Sequence, residues 1–338
     1  MFHGTITPDI ALGLKELQNR IDAAKIPSSK LDETLNIASW NIREFGRKAR
    51  RPESLHFIAE VIGQFDLVCV VELRDNLEEL HAVLGYLGPT WKAIFSDYDL
   101  DAGGNRERLA YVYDERGAHF TGLAAEAGAP RKKVKGEYLS QITFWRSPFI
   151  ASFQAGDFDF ILVSAHIRWG DSEAQRVNEL SLLADWVDAR VKEKCGWDKD
   201  IIVLGDFNIP SLESPLYAAV ASRGLTMVEP IAKQGMGSNL EKNKRYDQIL
   251  HYPKYTTGVT TSGGVLDFFI DEASIQKLYV DNPPSKEAFT YEMSDHLPIW
   301  VQLKTDTDAE RLDEIIAHIP KGVSAAAASG GPGPTTGR

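Results

Sequence analysis

The chain has 338 residues, of which 43% are hydrophobic and 25% charged, close to the globular average; this excludes a disordered, collagen-like or membrane-spanning polypeptide. Lys and Arg number 37 against 48 Asp and Glu, and the net charge of −11 excludes a protein that coats polyanions over its whole surface. Two isolated cysteines, Cys69 and Cys195, without CxxC spacing exclude a disulfide framework and a structural zinc site. The first residues carry neither a basic n-region nor an apolar h-region, so no secretory signal is expected and the default address is the cytoplasm. No window approaches the ~20 apolar residues of a membrane span.

In chain order, Thr7-Pro8-Asp9 reads as a helix start, and Ile10, Leu14, Leu17 and Ile21 recur on one face down to about Lys25. A docking helix is expected within a lead-in of residues 1–34. From residue 35 the character changes to short apolar runs ending in polar residues: 35–40, 67–71, 109–113, 149–153, 158–164, 201–204, 249–251, 266–270 and 299–303. Cys69 lies inside the second run and reads as a small core residue. Helical periodicity intervenes at 54–62, 77–87, 174–191 and 215–222, and returns at 309–319. The turn Ala155-Gly156-Asp157 predicts an antiparallel pair, whereas other strands are joined through helices. That mixture predicts an α/β fold of two mixed sheets packed face to face with helices outside. No repeat or linker interrupts the middle of the chain, so one domain is expected over 35–304. A C-terminal helix over 305–320 and a loose Ala/Gly/Ser/Pro-rich tail over 321–338 follow.

Polar residues at strand ends are the candidates for chemistry, because a rigid sheet with loops at its edge is a common frame for catalysis. Asn41 ends the first strand. Glu72 ends an apolar strand, where a carboxylate needs a partner or a metal, and Arg74 is the nearest expected partner. His166 ends another. In Gly205-Asp206-Phe207-Asn208 a glycine permits close backbone approach, and Asp206 and Asn208 fall two apart on one face. Asp247 and the adjacent Asp295-His296 complete the set. Hard oxygen ligands without a thiolate suit Mg²⁺, Mn²⁺ or Ca²⁺. Two histidines with carboxylates to orient them supply a general base and a general acid. Metal-assisted displacement at phosphorus uses all of these groups.

The ordered residues Trp40-Asn41, Glu72, His166, Gly205-Asp206-Phe207-Asn208, Asp247 and Ser294-Asp295-His296-Leu297-Pro298 resemble the endonuclease/exonuclease/phosphatase superfamily, the deoxyribonuclease-I-like fold, from about residue 35 to 303. The resemblance implies a four-layer α/β/β/α sandwich with the site at one edge of the sheets. It implies a Mg²⁺ site at Glu72 and Asn41 with Asp295 as a further carboxylate near the metal. Asp206 and Asn208 would position water and phosphate, and His296 oriented by Asp247 would be the base. His166, backed by Glu107, would protonate the leaving oxygen. It also implies that Arg146 binds phosphate and that Arg74 contacts DNA. Val71 in place of a frequent Gln, and the lack of a DNA-contacting Tyr near Asn105, depart from the pattern.

Charge placement narrows the substrate. Residues 43–51, 131–135 and 242–245 hold twelve basic residues against one acidic, a local excess of +11, which leaves −22 on the remainder. The first cluster follows Asn41 and the third precedes Asp247, so both are expected on the catalytic edge, with Arg43 binding substrate. The expected activity is a divalent-metal-dependent phosphodiesterase, with DNA the favoured substrate and endonucleolytic cleavage the favoured action. A phosphatase or phosphodiesterase of the same superfamily acting on a lipid or small phosphoester is the alternative. The full set of catalytic residue types argues against a non-catalytic module, and no protein partner is evident. The other histidines, His3, His56, His81, His119, His251 and His318, have no carboxylate context in sequence. Arg168 and Trp169 are expected either to line the site or to cap the helix beginning near Asp171 and Ser172.

Overall fold

A computed structural model describes residues 1–98, 105–140, 143–170, 172–194, 196, 198–233 and 235–317. Its strands are β1 (Thr34–Phe45), β2 (Leu67–Leu73), β3 (Trp91–Phe95), β4 (Arg108–Asp114), β5 (His119–Glu126), β6 (Arg131–Val134), β7 (Glu137–Ser140), β8 (Phe149–Ala155), β9 (Phe158–His166), β10 (Ile201–Asp206), β11 (Thr226–Met227), β12 (Asp247–His251), β13 (Val259–Val265) and β14 (Ile299–Lys304). Among them are two six-stranded mixed sheets, in the orders β13-β14-β1-β2-β4-β3 and β11-β12-β10-β9-β8-β5.

Each sheet is built around one parallel pair, β1/β2 in the first and β9/β10 in the second; the other pairs are antiparallel. A parallel pair needs a crossover, and here each crossover contains a helix: α2 (Pro52–Ile62) joins β1 to β2, and α4 (Glu173–Val191) joins β9 to β10. The N-terminal helix α1 (Pro8–Ala23) is capped by Thr7 as expected, its hydroxyl accepting from Ile10 N at 3.4 Å, and buries Leu14, Leu17 and Ile21. With α2 and α3 (Glu78–Leu87) it lies on the first sheet's side, whereas α4 and α5 (Pro215–Val220) pack together on the second. The fold is the expected α/β/β/α sandwich. Cys69 is fully buried in the core, as expected.

The run at 266–270 is not a strand. The strand beside β14 is β13, whose sequence is polar and Gly-rich because an edge strand is paired on one side only. The apolar residues that follow fill the core instead: Phe268 packs its ring 5.6 Å from that of Trp40 and 6.3 Å from that of Phe289. Phe289 belongs to α8 (Lys286–Glu292); this helix, α6 (Glu229–Lys233) and α7 (Ile275–Leu278) are too short for periodicity to show. The last described helix, α9, is Asp308–Ala317. Residues 305–307 of the expected terminal helix are a loop, in which Thr305 N donates to the Glu33 carbonyl at 2.8 Å; residues 318–320 of that helix, the tail, Asp171 and Cys195 lie outside the described residues.

Candidate active site

The carboxyl ends of the two parallel pairs meet at one edge of the sandwich, the usual crevice for ligands in sheets of this kind. On the second sheet, Asp206 of β10 stands in register with His166 of β9 and Asp247 of β12, which sets the three side by side. The preceding Gly205 is required here. Its φ is +136°, and a Cβ would come 2.1 Å from the carbonyl oxygen of Ala165. On the first sheet, Asn41 faces inward and donates from Nδ2 to Asp206 Oδ2 at 3.0 Å, bridging the sheets. Trp40, on the opposite face of β1, reaches round to donate its indole N–H to the carbonyl oxygen of His296 at 2.9 Å. Ser294 accepts from His296 N at 3.0 Å and donates to the Asn41 carbonyl at 2.6 Å, which fixes the loop carrying His296 against β1.

Two histidine–carboxylate pairs face Asp206. His296 Nδ1 lies 2.7 Å from Asp247 Oδ2, and His166 Nδ1 lies 2.8 Å from Glu107 Oε2. Their free Nε2 atoms lie 3.8 Å and 3.7 Å from the same atom, Asp206 Oδ2. Burial alone would push both imidazoles down, yet both are raised. For His296 the charges of Asp247 and Asp206 win and hold it well above its ordinary value. For His166, burial and Arg146 act downward, and Glu107 and Asp206 overcome them. Glu107 is buried, which acts upward, but the His166 contact and the Arg146 and Arg74 charges pull it down to about 2. Burial raises Asp247, offset in part by His296.

Asn41 and Glu72 are brought together: Asn41 Nδ2 donates to Glu72 Oε1 at 3.0 Å, and Glu72 Oε2 accepts from Glu44 N at 2.9 Å. Asn41 Oδ1 is buried without a partner, an orphaned hard acceptor beside a carboxylate, and this fits a divalent cation. Asp206, Asp247 and His296 also offer ligand atoms within 4.8 Å of one another. Asp295 lines the same cleft but is 3.6 Å from Arg43, with its side chain 42% exposed. Asn208 takes a left-handed φ of +51°; its N–H donates to Asp206 Oδ1 at 2.9 Å, and its amide donates to the Ile167 carbonyl at 2.7 Å.

The expected Glu72–Arg74 ion pair does not form. Glu72 itself has φ +65° and the β2/β4 register shifts between Val70 and Leu73, so the simple two-residue alternation fails there. Arg74 is buried instead against Glu44 at 3.0 Å and Glu107 at 3.5 Å. Arg146 lies 2.8 Å from Glu107, and its Nη1 is buried without a hydrogen-bond partner at the cleft, a vacant donor of the kind that binds phosphate. Arg43 lies over the Tyr291 ring at 4.0 Å and donates to the Tyr291 hydroxyl at 3.0 Å.

The free cations differ from expectation. In the first cluster Arg47 pairs with Glu44, Arg50 with Glu79 at 2.7 Å and Arg51 with Glu292 at 3.5 Å. In the third, Lys242 pairs with Asp267 at 2.5 Å, and Arg245 donates to the Ile231 carbonyl at 3.0 Å. Much of the charge expected at the catalytic edge is therefore neutralised by carboxylates, most of them distant in sequence. Arg168 and Trp169 line the cleft, and Ser172 caps α4, accepting from Gln175 N. Trp145, whose ring lies 4.6 Å from the Arg168 guanidinium, and Glu44 also line it. Sequence gave no signal for Glu44; Trp145 stood next to Arg146. His3, assigned no carboxylate, lies 3.0 Å from Glu60 and 2.9 Å from His56, remote in sequence.

Comparison with known proteins agrees with this geometry. The family model described as "Endonuclease/Exonuclease/phosphatase family" matches residues 38–296. A deoxyribonuclease of Thioalkalivibrio sp. (strain K90mix) is 27% identical over 312 residues, covering 87% of this chain and 76% of that protein. Deoxyribonuclease gamma of Mus musculus is 25% identical over 290 residues, covering 80% of this chain and 85% of the relative. Among solved structures, the human Nocturnin catalytic domain with bound sulfate superposes with a TM-score of 0.52 at 14% identity, covering 81% of this chain and 95% of that domain, a likeness of fold. The matched span runs from the β1 strand that carries Asn41 to His296 and holds both histidine–carboxylate pairs: the chain belongs to the endonuclease/exonuclease/phosphatase family of phosphoesterases.

Proposed function

We propose that the protein is a Mg²⁺-dependent phosphodiesterase that hydrolyses DNA endonucleolytically at this cleft. The observation that carries the reading is the pair of histidine–carboxylate units whose Nε2 atoms approach Asp206 from two sides, 3.7 Å and 3.8 Å away. Displacement of an alkoxide by water needs a proton taken from the nucleophile and one given to the leaving oxygen. His296, oriented by buried Asp247, acts in its neutral form and takes the proton of a water held by Asp206 and Asn208 as the water oxygen bonds to phosphorus. The P–O bond to the sugar breaks, and His166, whose protonated form Glu107 favours, donates to the departing oxygen. The vacant Nη1 of Arg146 donates to a phosphate oxygen. Glu72 with Asn41 would hold the cation, which would supply charge neutralisation at the phosphate. Mn²⁺ or Ca²⁺ also fit this oxygen donor set, and Arg43 and Asp295 face the same cleft.

The DNA assignment is supported by two relatives that are named deoxyribonucleases. Product analysis tests it against the alternative. Incubation in Mg²⁺ with a duplex oligonucleotide, a phosphorylated sugar and phosphoinositide vesicles gives internally cut DNA and no free phosphate on this reading. Phosphate or headgroup release with intact DNA overturns it.

A further inference from the structure

The second basic cluster, residues 131–135, lies on a structure that the catalytic reading does not use. Strands β6 and β7 pair only with each other. Every residue of the two strands is exposed except half-buried Ser140. A two-stranded hairpin without a packed face is marginal in water, so its sequence is free to serve something other than the core. Residues 131–140 hold four cations, Arg131, Lys132, Lys133 and Lys135, and one acid, Glu137, in a chain whose net charge is −11. No ion pair to these four cations is present among the described residues, in contrast to the other two clusters.

Register sorts the side chains. Arg131, Lys133, Tyr138 and Ser140 share one face of the ribbon, and Lys132, Val134, Glu137 and Leu139 share the other. On the first face the Lys133 ammonium lies 5.9 Å from the Tyr138 ring centroid. The turn between the strands has φ +50° at Lys135 and +94° at Gly136, the left-handed pair of a tight hairpin turn. Asn or Gly suits the first position, so a lysine there places charge at the tip against local conformational preference.

The arm also has a defined root. Ala127 N donates to the Pro148 carbonyl at 2.8 Å, closing its neck, and the chain beyond it leads to Trp145 and Arg146 in the cleft wall. We propose that this hairpin is a nucleic-acid arm that grips the phosphates of a duplex flanking the cleft and confines polyanion binding to one side of an acidic body. This rests on the DNA reading of the cleft, which it extends from the scissile phosphate to the flanking helix.

The test is fluorescence anisotropy of a labelled 30-base-pair duplex in EDTA, where binding is read without cleavage. A Lys132→Glu, Lys133→Glu, Lys135→Glu variant is compared with a control carrying Lys15→Glu, Lys194→Glu and Lys277→Glu, exposed lysines elsewhere. Thermal melting of each variant checks folding, and Lys135→Gly, which relieves the tip conformation, is a second variant. The arm variant is expected to bind at least tenfold more weakly at 0.1 M salt. The slope of log affinity against log salt should flatten by roughly 0.9 for each phosphate contact removed. Lys135→Gly should melt no lower than the wild type and flatten the slope by about one contact. Equal affinity and slope in the arm variant, equal weakening in the control, or binding to anionic vesicles but not duplex overturns the arm. If the arm variant loses binding but the wild type nicks no plasmid in Mg²⁺, the arm stands and the nuclease reading falls.

Discussion

Replacing Glu107 by Gln removes the charge that organises one half of the site. In the folded protein this buried carboxylate faces His166 at 2.8 Å, Arg146 at 2.8 Å and Arg74 at 3.5 Å, and is held at about 2 against an ordinary value of 4.5. That difference corresponds to about 3 kcal/mol of stability at neutral pH. Removing one partner of a buried charge cluster is expected to cost a similar amount, because the cations left behind repel one another. Since the folded value lies below the unfolded one, the contribution is complete above about pH 4.5 and is lost as pH falls towards about 2. By linkage about 2 kcal/mol of it is gone by pH 3. The raised His166 value describes the same contact from the other partner and is not additional. Urea unfolding in EDTA should therefore find Glu107→Gln about 3 kcal/mol less stable than wild type at pH 7, with the gap narrowing to about 1 kcal/mol at pH 3. Titration of His166 by NMR should move downward in the variant. Equal stability at pH 7, or a gap that does not change with pH, would refute the assignment of Glu107 as the ionised partner of His166.

Three further outcomes follow from other parts of the fold. Gly205→Ala should destabilise by about 3 kcal/mol or more, because φ +136° and a 2.1 Å approach to the Ala165 carbonyl must both be relieved; an unchanged melting temperature would contradict the required close approach. Asp247→Asn should lower the His296 titration and cut turnover about 10²- to 10⁴-fold with little change in duplex affinity; a loss confined to affinity would remove Asp247 as the group that orients the base. Burial and then the neighbouring His3 lower His56 to about 4, so the folded state resists a proton that the unfolded chain takes up near 6.5. Stability should fall as pH drops from 6.5 towards 4, and His56→Phe, which keeps the stack on Tyr86, should flatten that limb in a melting series.

The legible part of the molecule was the part whose physics is local. Apolar runs buried on both faces marked the central strands, and Gly205-Asp206-Phe207-Asn208 marked a strand tip because its glycine is sterically required. Edge strands β3, β5, β11 and β13 carry no long apolar run, since pairing on one side tolerates polar residues, and the run at 266–270 has the composition of a strand because burial in a loop selects the same residues. Residue types at the site are legible in local sequence, whereas the His166–Glu107 and His296–Asp247 pairings follow only from the family resemblance and the partners of Arg74 from neither. Glu107 reaches His166 from another sheet, and Arg74 turns from Glu72 to Glu44 and Glu107 because of a bulge and a left-handed residue. The charge clusters show the same limit. All three looked alike in sequence, and only long-range contacts with Glu79, Glu292 and Asp267 separate the tied cations from those of the free hairpin.

The central claim is that the Asn41–Glu72 cleft cuts DNA with the help of a divalent cation. Conversion of supercoiled plasmid to the nicked form, in Mg²⁺ and in EDTA, with Glu72→Gln and His296→Ala alongside, tests it most directly. The account predicts nicking by the wild type in Mg²⁺, none in EDTA, and at least a hundredfold slower nicking by either variant. Nicking that persists in EDTA, or a wild type that leaves the plasmid supercoiled in Mg²⁺, would contradict it.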